Sequence, residues 1–199
     1  MKPNSALNFY YFCSNMKMHL SEELTTVFSY SKEEAIRTGS YEIHTAHFLL
    51  GLLRHASNDS CAVLRKSGIE LADLKSYLDS VMRRKETISY REDLHVVLSH
   101  EAESCFNLTI LEAVLDGSVE ATPLHLLLAI SKTACPVCKE YFALKDITYG
   151  KLASIIREMH PATASVSSPA PDDAETDDKL AGRMLGIIET IKRENNIFS

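Results

Sequence analysis

Apolar positions along the chain recur mainly at helical spacing. Leu24, Val27, Phe28, Ala35 and Ile36, with the small Ser31 among them, fall on one face of a helix over about 21–38. Gly39 then predicts a left-handed C-terminal stop. The next stretch, TAHFLLGLL (45–53), is apolar all round instead of on one face, the mark of a buried central helix, with Thr45 or its neighbour as the N-cap. A short helix follows over about 60–66 and ends at Gly68. A further one over about 71–84 puts Leu71, Leu74, Leu78 and Val81 on one face. No alternating stretch predicts a strand.

The same series recurs 78 residues later. Residues 20–82 laid on 98–160 without a gap give sixteen identities in 63 positions, where random pairing gives about four. They include Leu20/Leu98, Phe28/Phe106, Glu34/Glu112, Gly39/Gly117, Glu42/Glu120, His47/His125 and Leu74/Leu152. In the second unit PLHLLLAI (123–130) is the central helix, with Thr122 as cap and Pro123 at its first position. Helices over about 137–145 and 149–159 complete it, and the expected cap is displaced by one residue between units. The expected fold is all-α: two tandem four-helix repeats with pseudo-twofold symmetry, packed as one domain, followed by a tethered C-terminal helix. The implied boundaries are an N-terminal extension (1–19), the double repeat (20–160, units 20–84 and 91–160), an acidic linker (161–178) and a helix (179–199).

Charge narrows the function classes. The formal net charge is -6 and no basic stripe stands out, which argues against nucleic acid. No run reaches the length of a membrane span, and the N-terminus lacks a long apolar signal region. The five cysteines are odd in number and scattered, which suits a reducing cytoplasm and not a disulfide framework. CPVC (135–138) stands apart because its counterpart in the first unit is SNDS (57–60). No further zinc ligands stand at a recognisable spacing, and a thioredoxin-type site needs a βαβ setting that this chain lacks. His47 and His125 head their central helices, where a ring bonded to the neighbouring loop caps a polar end of the core. HEAES (100–104) is not H-E-x-x-H, and no nucleophile elbow occurs. No catalytic residue, metal set or cofactor is assigned.

Glu33, Glu34, Ala35 and Gly39, then Thr45, His47, Leu49, Leu50, Gly51, Leu52 and Leu53, then Val63, Leu64, Gly68 and Leu74 match one pattern. The second unit keeps Glu112, Ala113, Gly117, Thr122, His125, Leu127 and Leu128. This pattern resembles the N-terminal repeat domain of the Clp chaperone ATPases of the ClpA and ClpC kind, over about residues 20–160. The resemblance implies a non-catalytic module that binds substrates and adaptors of an ATP-driven unfoldase. Some relatives recognise phosphoarginine through a glutamate in each T-E-H motif. Here those positions are Ala46 and Leu124, which removes the anionic partner a guanidinium needs. No G-x-x-x-x-G-K-[ST] occurs, so the expectation is a free-standing N-domain acting as adaptor or regulator of a Clp ATPase or peptidase, or as a binder of its clients.

Carried over by position, the expected peptide-binding residues are Tyr41, Glu42, Ala46, Val119, Glu120 and Leu124, on a groove between the repeats. The replacements at 46 and 124 predict a preference for an apolar peptide over a phosphorylated basic one. In the tail, Leu180, Met184, Ile187, Ile188 and Ile191 share one helix face. That face suits docking to a partner, pairing with a second copy, or folding back on its own domain. Two other readings are a thiol redox sensor at Cys135 and Cys138, and a homodimeric scaffold built through the tail.

Overall fold

The computed structural model describes residues 19–83 and 96–160. The expected linker and C-terminal helix, with Leu180, Met184, Ile187, Ile188 and Ile191, lie outside the described residues. So do most of the N-terminal extension and of the segment joining the units.

Eight helices are described. In the first half they are α1 (Glu22–Thr38), α2 (Thr45–Arg54), α3 (Asp59–Lys66) and α4 (Leu71–Met82). In the second half they are α5 (His100–Leu115), α6 (Pro123–Thr133), α7 (Pro136–Leu144) and α8 (Tyr149–Met159). Their ends have local causes. Ser21 and Ser99 cap α1 and α5 by accepting the amides of Leu24 and Ala102, and Asn58 and Thr148 do the same for α3 and α8. After α1 the chain turns at Gly39 (φ 78°), and the Ser40 amide reaches back to the Ala35 carbonyl. After α5, Gly117 (φ 74°) and the Ser118-to-Ala113 bond repeat that turn. The caps of the central helices are His44 and Thr122. They stand at matching positions, so the one-residue displacement expected from the sequence does not occur. A histidine at a cap hides the match, because the residue types favoured there are Ser, Thr, Asp and Asn.

The sequence also gave no sign of four two-residue strands: β1 (His19–Leu20), β2 (Glu42–Ile43), β3 (Val97–Leu98) and β4 (Glu120–Ala121). Two residues are too few to show alternation. β1 pairs in parallel with β4, and β2 with β3. Each half therefore lends its entry strand to the loop strand of the other. The amides of Ser21 and Ser99 extend the two pairs, onto the carbonyls of Ala121 and Ile43.

The core is one cluster spanning both halves. Helices α2 and α6 lie at its centre, buried along nearly their whole length. Phe28 and Phe106, equivalent in the two halves, touch each other with ring centroids 5.1 Å apart. Gly51 lets α1 approach α2: a Cβ there would overlap the Ser31 hydroxyl and lie 2.6 Å from the Val27 carbonyl oxygen. Several expected core positions differ, Phe28 and Ile36 among them, which are only half-buried. Val81 is 49% exposed in the last turn of α4, beyond the reach of the partner helices, and Leu71 is only half-buried.

Candidate functional site

The histidines that head α2 and α6 are structural. His47 Nδ1 accepts the His44 amide at 2.9 Å, and His125 Nδ1 accepts the Thr122 amide at 3.0 Å. Each ring closes the first turn from the third helical position, where glutamate or glutamine usually does so. With Nδ1 accepting, the neutral ring carries its proton on Nε2. That atom lies 3.0 Å from Thr38 Oγ1 in the first half and 3.5 Å from Asp116 in the second. Burial holds the His125 pKa below its ordinary value, and Asp116 only partly opposes this.

A second repeated feature is a buried carboxylate. Glu34 is met by Arg37 at 2.6 Å and by Arg54 at 3.5 Å. Its counterpart Glu112 is met by Lys132 at 2.7 Å and by the Tyr149 hydroxyl at 2.9 Å. The Lys132 ammonium also sits 3.9 Å over the Tyr149 ring.

Beside Glu112 opens a cleft of about 490 Å3. Its apolar wall is Leu115, Pro123, Leu124, Leu128, Ala153 and Ile156. Its rim carboxylates are Glu23, Asp59 and Asp116, set against Arg157 and two histidines, so the rim is anionic, while Glu112 in the wall is already paired with Lys132. Such a surface accepts apolar side chains and a cation, and repels a phosphoryl group.

The expected binding residues distribute unevenly around it. Leu124 lines the cleft. Val119 is 77% exposed, and its carbonyl accepts the His19 amide beside the β1–β4 pair; Glu120 belongs to that pair. Tyr41 and Glu42 are exposed on the separate β2–β3 pair, where the Tyr41 carbonyl accepts the Val97 amide. Ala46 is fully buried and offers no surface. Its methyl group faces the core because the first turn of α2 is covered, so the apolar surface expected at position 46 does not exist. Glu23, Asp59, Leu115, Asp116, Tyr149, Ile156 and Arg157 were missed. No local sequence signal marks them, because tertiary packing brings them together.

The CPVC pair lies at the start of α7. Cys135 is the N-cap, Pro136 opens the helix, and Cys138 lies one turn in. The Cys135 amide donates to Thr45 Oγ1 at 2.8 Å, tying the start of α7 to the start of α2 in the other half. Thr45 in turn donates its amide and hydroxyl to Glu101 at 3.3 and 3.4 Å.

The sequence matches the Clp repeat (R) N-terminal domain model over residues 19–168. The chain belongs to this family. Domains of the family are protein-interaction modules of Clp ATPases. Among solved structures, a protein from a malarial protein secretion system is 19% identical, with 72% of this chain and 96% of that one covered at a TM-score of 0.62. The N-domain of ClpV from Vibrio cholerae is 16% identical, with 70% and 84% covered and a TM-score of 0.59. The N-terminal domain of ClpD from Arabidopsis thaliana is also 16% identical, with 71% and 97% covered and a TM-score of 0.55. At these identities the likeness is one of fold. No curated protein matches the chain. Among the described residues, no helix of this Clp repeat domain is long and apolar enough to cross a membrane, and no cluster of metal-ligating side chains occurs.

Proposed function

We propose that this Clp repeat domain is a non-enzymatic protein-binding module, an adaptor or regulator of a Clp unfoldase or peptidase or a binder of its substrates. The observation that carries this reading is the cleft beside Glu112, with an apolar wall and an anionic rim. A pocket of that volume holds one or two apolar side chains of a peptide. The carboxylates favour a neighbouring lysine or arginine and disfavour phosphate, and with leucine at position 124 the preference runs to an unphosphorylated segment.

Fluorescence anisotropy with a labelled peptide of leucines, valines and lysines tests the reading, beside the same peptide with phosphoarginine in place of lysine. The unmodified peptide is expected to bind more tightly. Leu115→Asp, on the exposed lip of the cleft, should weaken it by roughly tenfold without unfolding the domain, about 1.4 kcal/mol. Tight binding of free phosphoarginine that Glu42→Gln or Glu120→Gln abolishes would overturn the preference. Co-purification of full-length protein and of residues 1–161 from the native cell addresses the partner. Recovery of a Clp ATPase or peptidase by both places the contact on the repeat domain. Recovery by the full-length form alone assigns it to the tail, and recovery by neither removes the adaptor reading.

A further inference from the structure

We propose that Cys135 and Cys138 form a hydroperoxide-reactive dithiol that closes to a disulfide at the junction of the two halves. The pair is set apart from the other described cysteines by its geometry. Cys61 is fully buried, with its sulfur 3.3 Å from the Leu52 carbonyl oxygen, and Cys105 is fully buried inside α5. Cys135 alone retains a solvent edge, at 6% exposure, while Cys138 has none. Such an arrangement gives a small oxidant one sulfur to meet and holds a second in reserve. A helix N-cap and the third helical residue are neighbours in space, which is why the side chain of the first commonly bonds the amide of the third. Pro136, at the position between cap and second turn residue, lacks an amide hydrogen and fixes the turn.

The electrostatic setting agrees with the geometry. The Cys138 thiol donates toward the Cys135 sulfur and is the largest influence bringing its pKa down to about 6. Burial opposes it, Thr45 and the Cys138 amide assist it, and Glu101 on α5 opposes it. Cys138 moves the other way, well above its ordinary value, because it holds its proton against the Cys135 sulfur and is buried. Glu101 and Cys105 on α5 add to that rise. Tyr77 on α4 is the remaining titratable group coupled to the pair. At neutral pH the outer sulfur is therefore a thiolate and the inner one a thiol, the division of labour of a reactive and a resolving cysteine.

The chemistry closes with a hydroperoxide as oxidant. The Cys135 thiolate attacks the outer oxygen; an S–O bond forms, the O–O bond breaks, and hydroxide leaves and takes a proton. Cys138 then loses its proton and attacks the Cys135 sulfur; the S–S bond forms, the S–O bond breaks, and a second water leaves. The two thiols give up two electrons, and the peroxide accepts them. The amide tie from Cys135 to Thr45 is where the event reaches the other half: the disulfide closes at the first turn of α7, and the start of α2 lies next to it.

The test uses full-length reduced protein exposed to stoichiometric hydrogen peroxide at neutral pH, then alkylated and digested with trypsin without reductant. Both cysteines fall in the peptide 133–139. The expected result is that this peptide loses the mass of two hydrogens and resists alkylation, while the Cys61 and Cys105 peptides remain fully alkylated. A Cys138→Ser protein should accumulate a dimedone-reactive sulfenic acid at Cys135, and a Cys135→Ser protein should leave Cys138 unoxidised. In the wild-type chain, alkylation of Cys135 against pH should reach half its maximum near pH 6, so the proposal does not depend on either variant folding. Oxidation of Cys61 or Cys105 ahead of the peptide 133–139 overturns it, as does peroxide leaving both thiols of that peptide intact. So does an alkylation midpoint near the ordinary thiol value.

Discussion

His125 shows how a titratable side chain can serve a fold without serving a reaction. Its Nδ1 closes the first turn of α6 in the neutral form, and burial depresses its pKa. The unfolded chain therefore binds the proton more readily than the folded one. Stability is complete above the unfolded value of 6.5 and declines as pH falls from there to the folded value, below which the loss is full. His125→Gln keeps an acceptor at the third helical position and removes the titration. Urea melts at pH 7.5 and pH 5 should show the wild-type protein losing more stability than the variant across that interval; equal losses would show that the ring titrates normally. Gly51 is the other residue whose identity decides local structure. Gly51→Ala gains helix propensity but drives a methyl group into the Ser31 hydroxyl and the Val27 carbonyl oxygen. Overpacking of this kind costs about 1–3 kcal/mol, and the midpoint of urea unfolding should fall accordingly. An unchanged midpoint would mean that α1 and α2 separate freely.

At the scale of elements, the packing of α6 depends on a carboxylate that is nearly buried. Glu112 joins α5 to Lys132 on α6 and to Tyr149 on α8. Glu112→Ala removes both bonds and should cost about 1–3 kcal/mol in a denaturant melt, whereas Lys132→Met leaves the carboxylate with Tyr149 alone and should cost at least as much. The reverse order would place the stabilisation in the lysine stem and not in the pair. Helix positions were legible in the sequence because their apolar faces and caps follow local rules. α8 is seen where its spacing predicts it, and Gly39 and Gly117 stop helices as expected. The His44 cap and the strands were not legible. A histidine is a rare cap, and two-residue strands exist only because another part of the chain arrives beside them. The cleft was legible only in part for the same reason. Leu124 came from a family motif, while Glu23, Asp59, Ile156 and Arg157 are brought to it by tertiary packing. Ala46 failed because a motif position carries a residue type but not its exposure.

At the scale of the whole domain, the two halves share one core and two strand pairs, so neither has a boundary across which it can unfold alone. The amides of Ser21 and Ser99, which bond across the halves, should exchange with solvent at rates set by global unfolding, matching those in the middle of α2 and α6. Faster exchange at Ser21 and Ser99, measured by hydrogen–deuterium exchange, would show the halves opening independently.

The reciprocal pairing of β1 with β4 and β2 with β3 has one more consequence. It is the bonding scheme of an isologous dimer, in which each subunit offers the other the surface it receives. A lone subunit of that kind would be stable only as far as its concentration allowed it to find a mate. Written into one polypeptide, the same contact becomes intramolecular, and its strength is set by the reach of the connecting segment and not by dilution. The two subunits are then also released from identity. One is free to keep serines at 57 and 60 while the other acquires a pair of thiols.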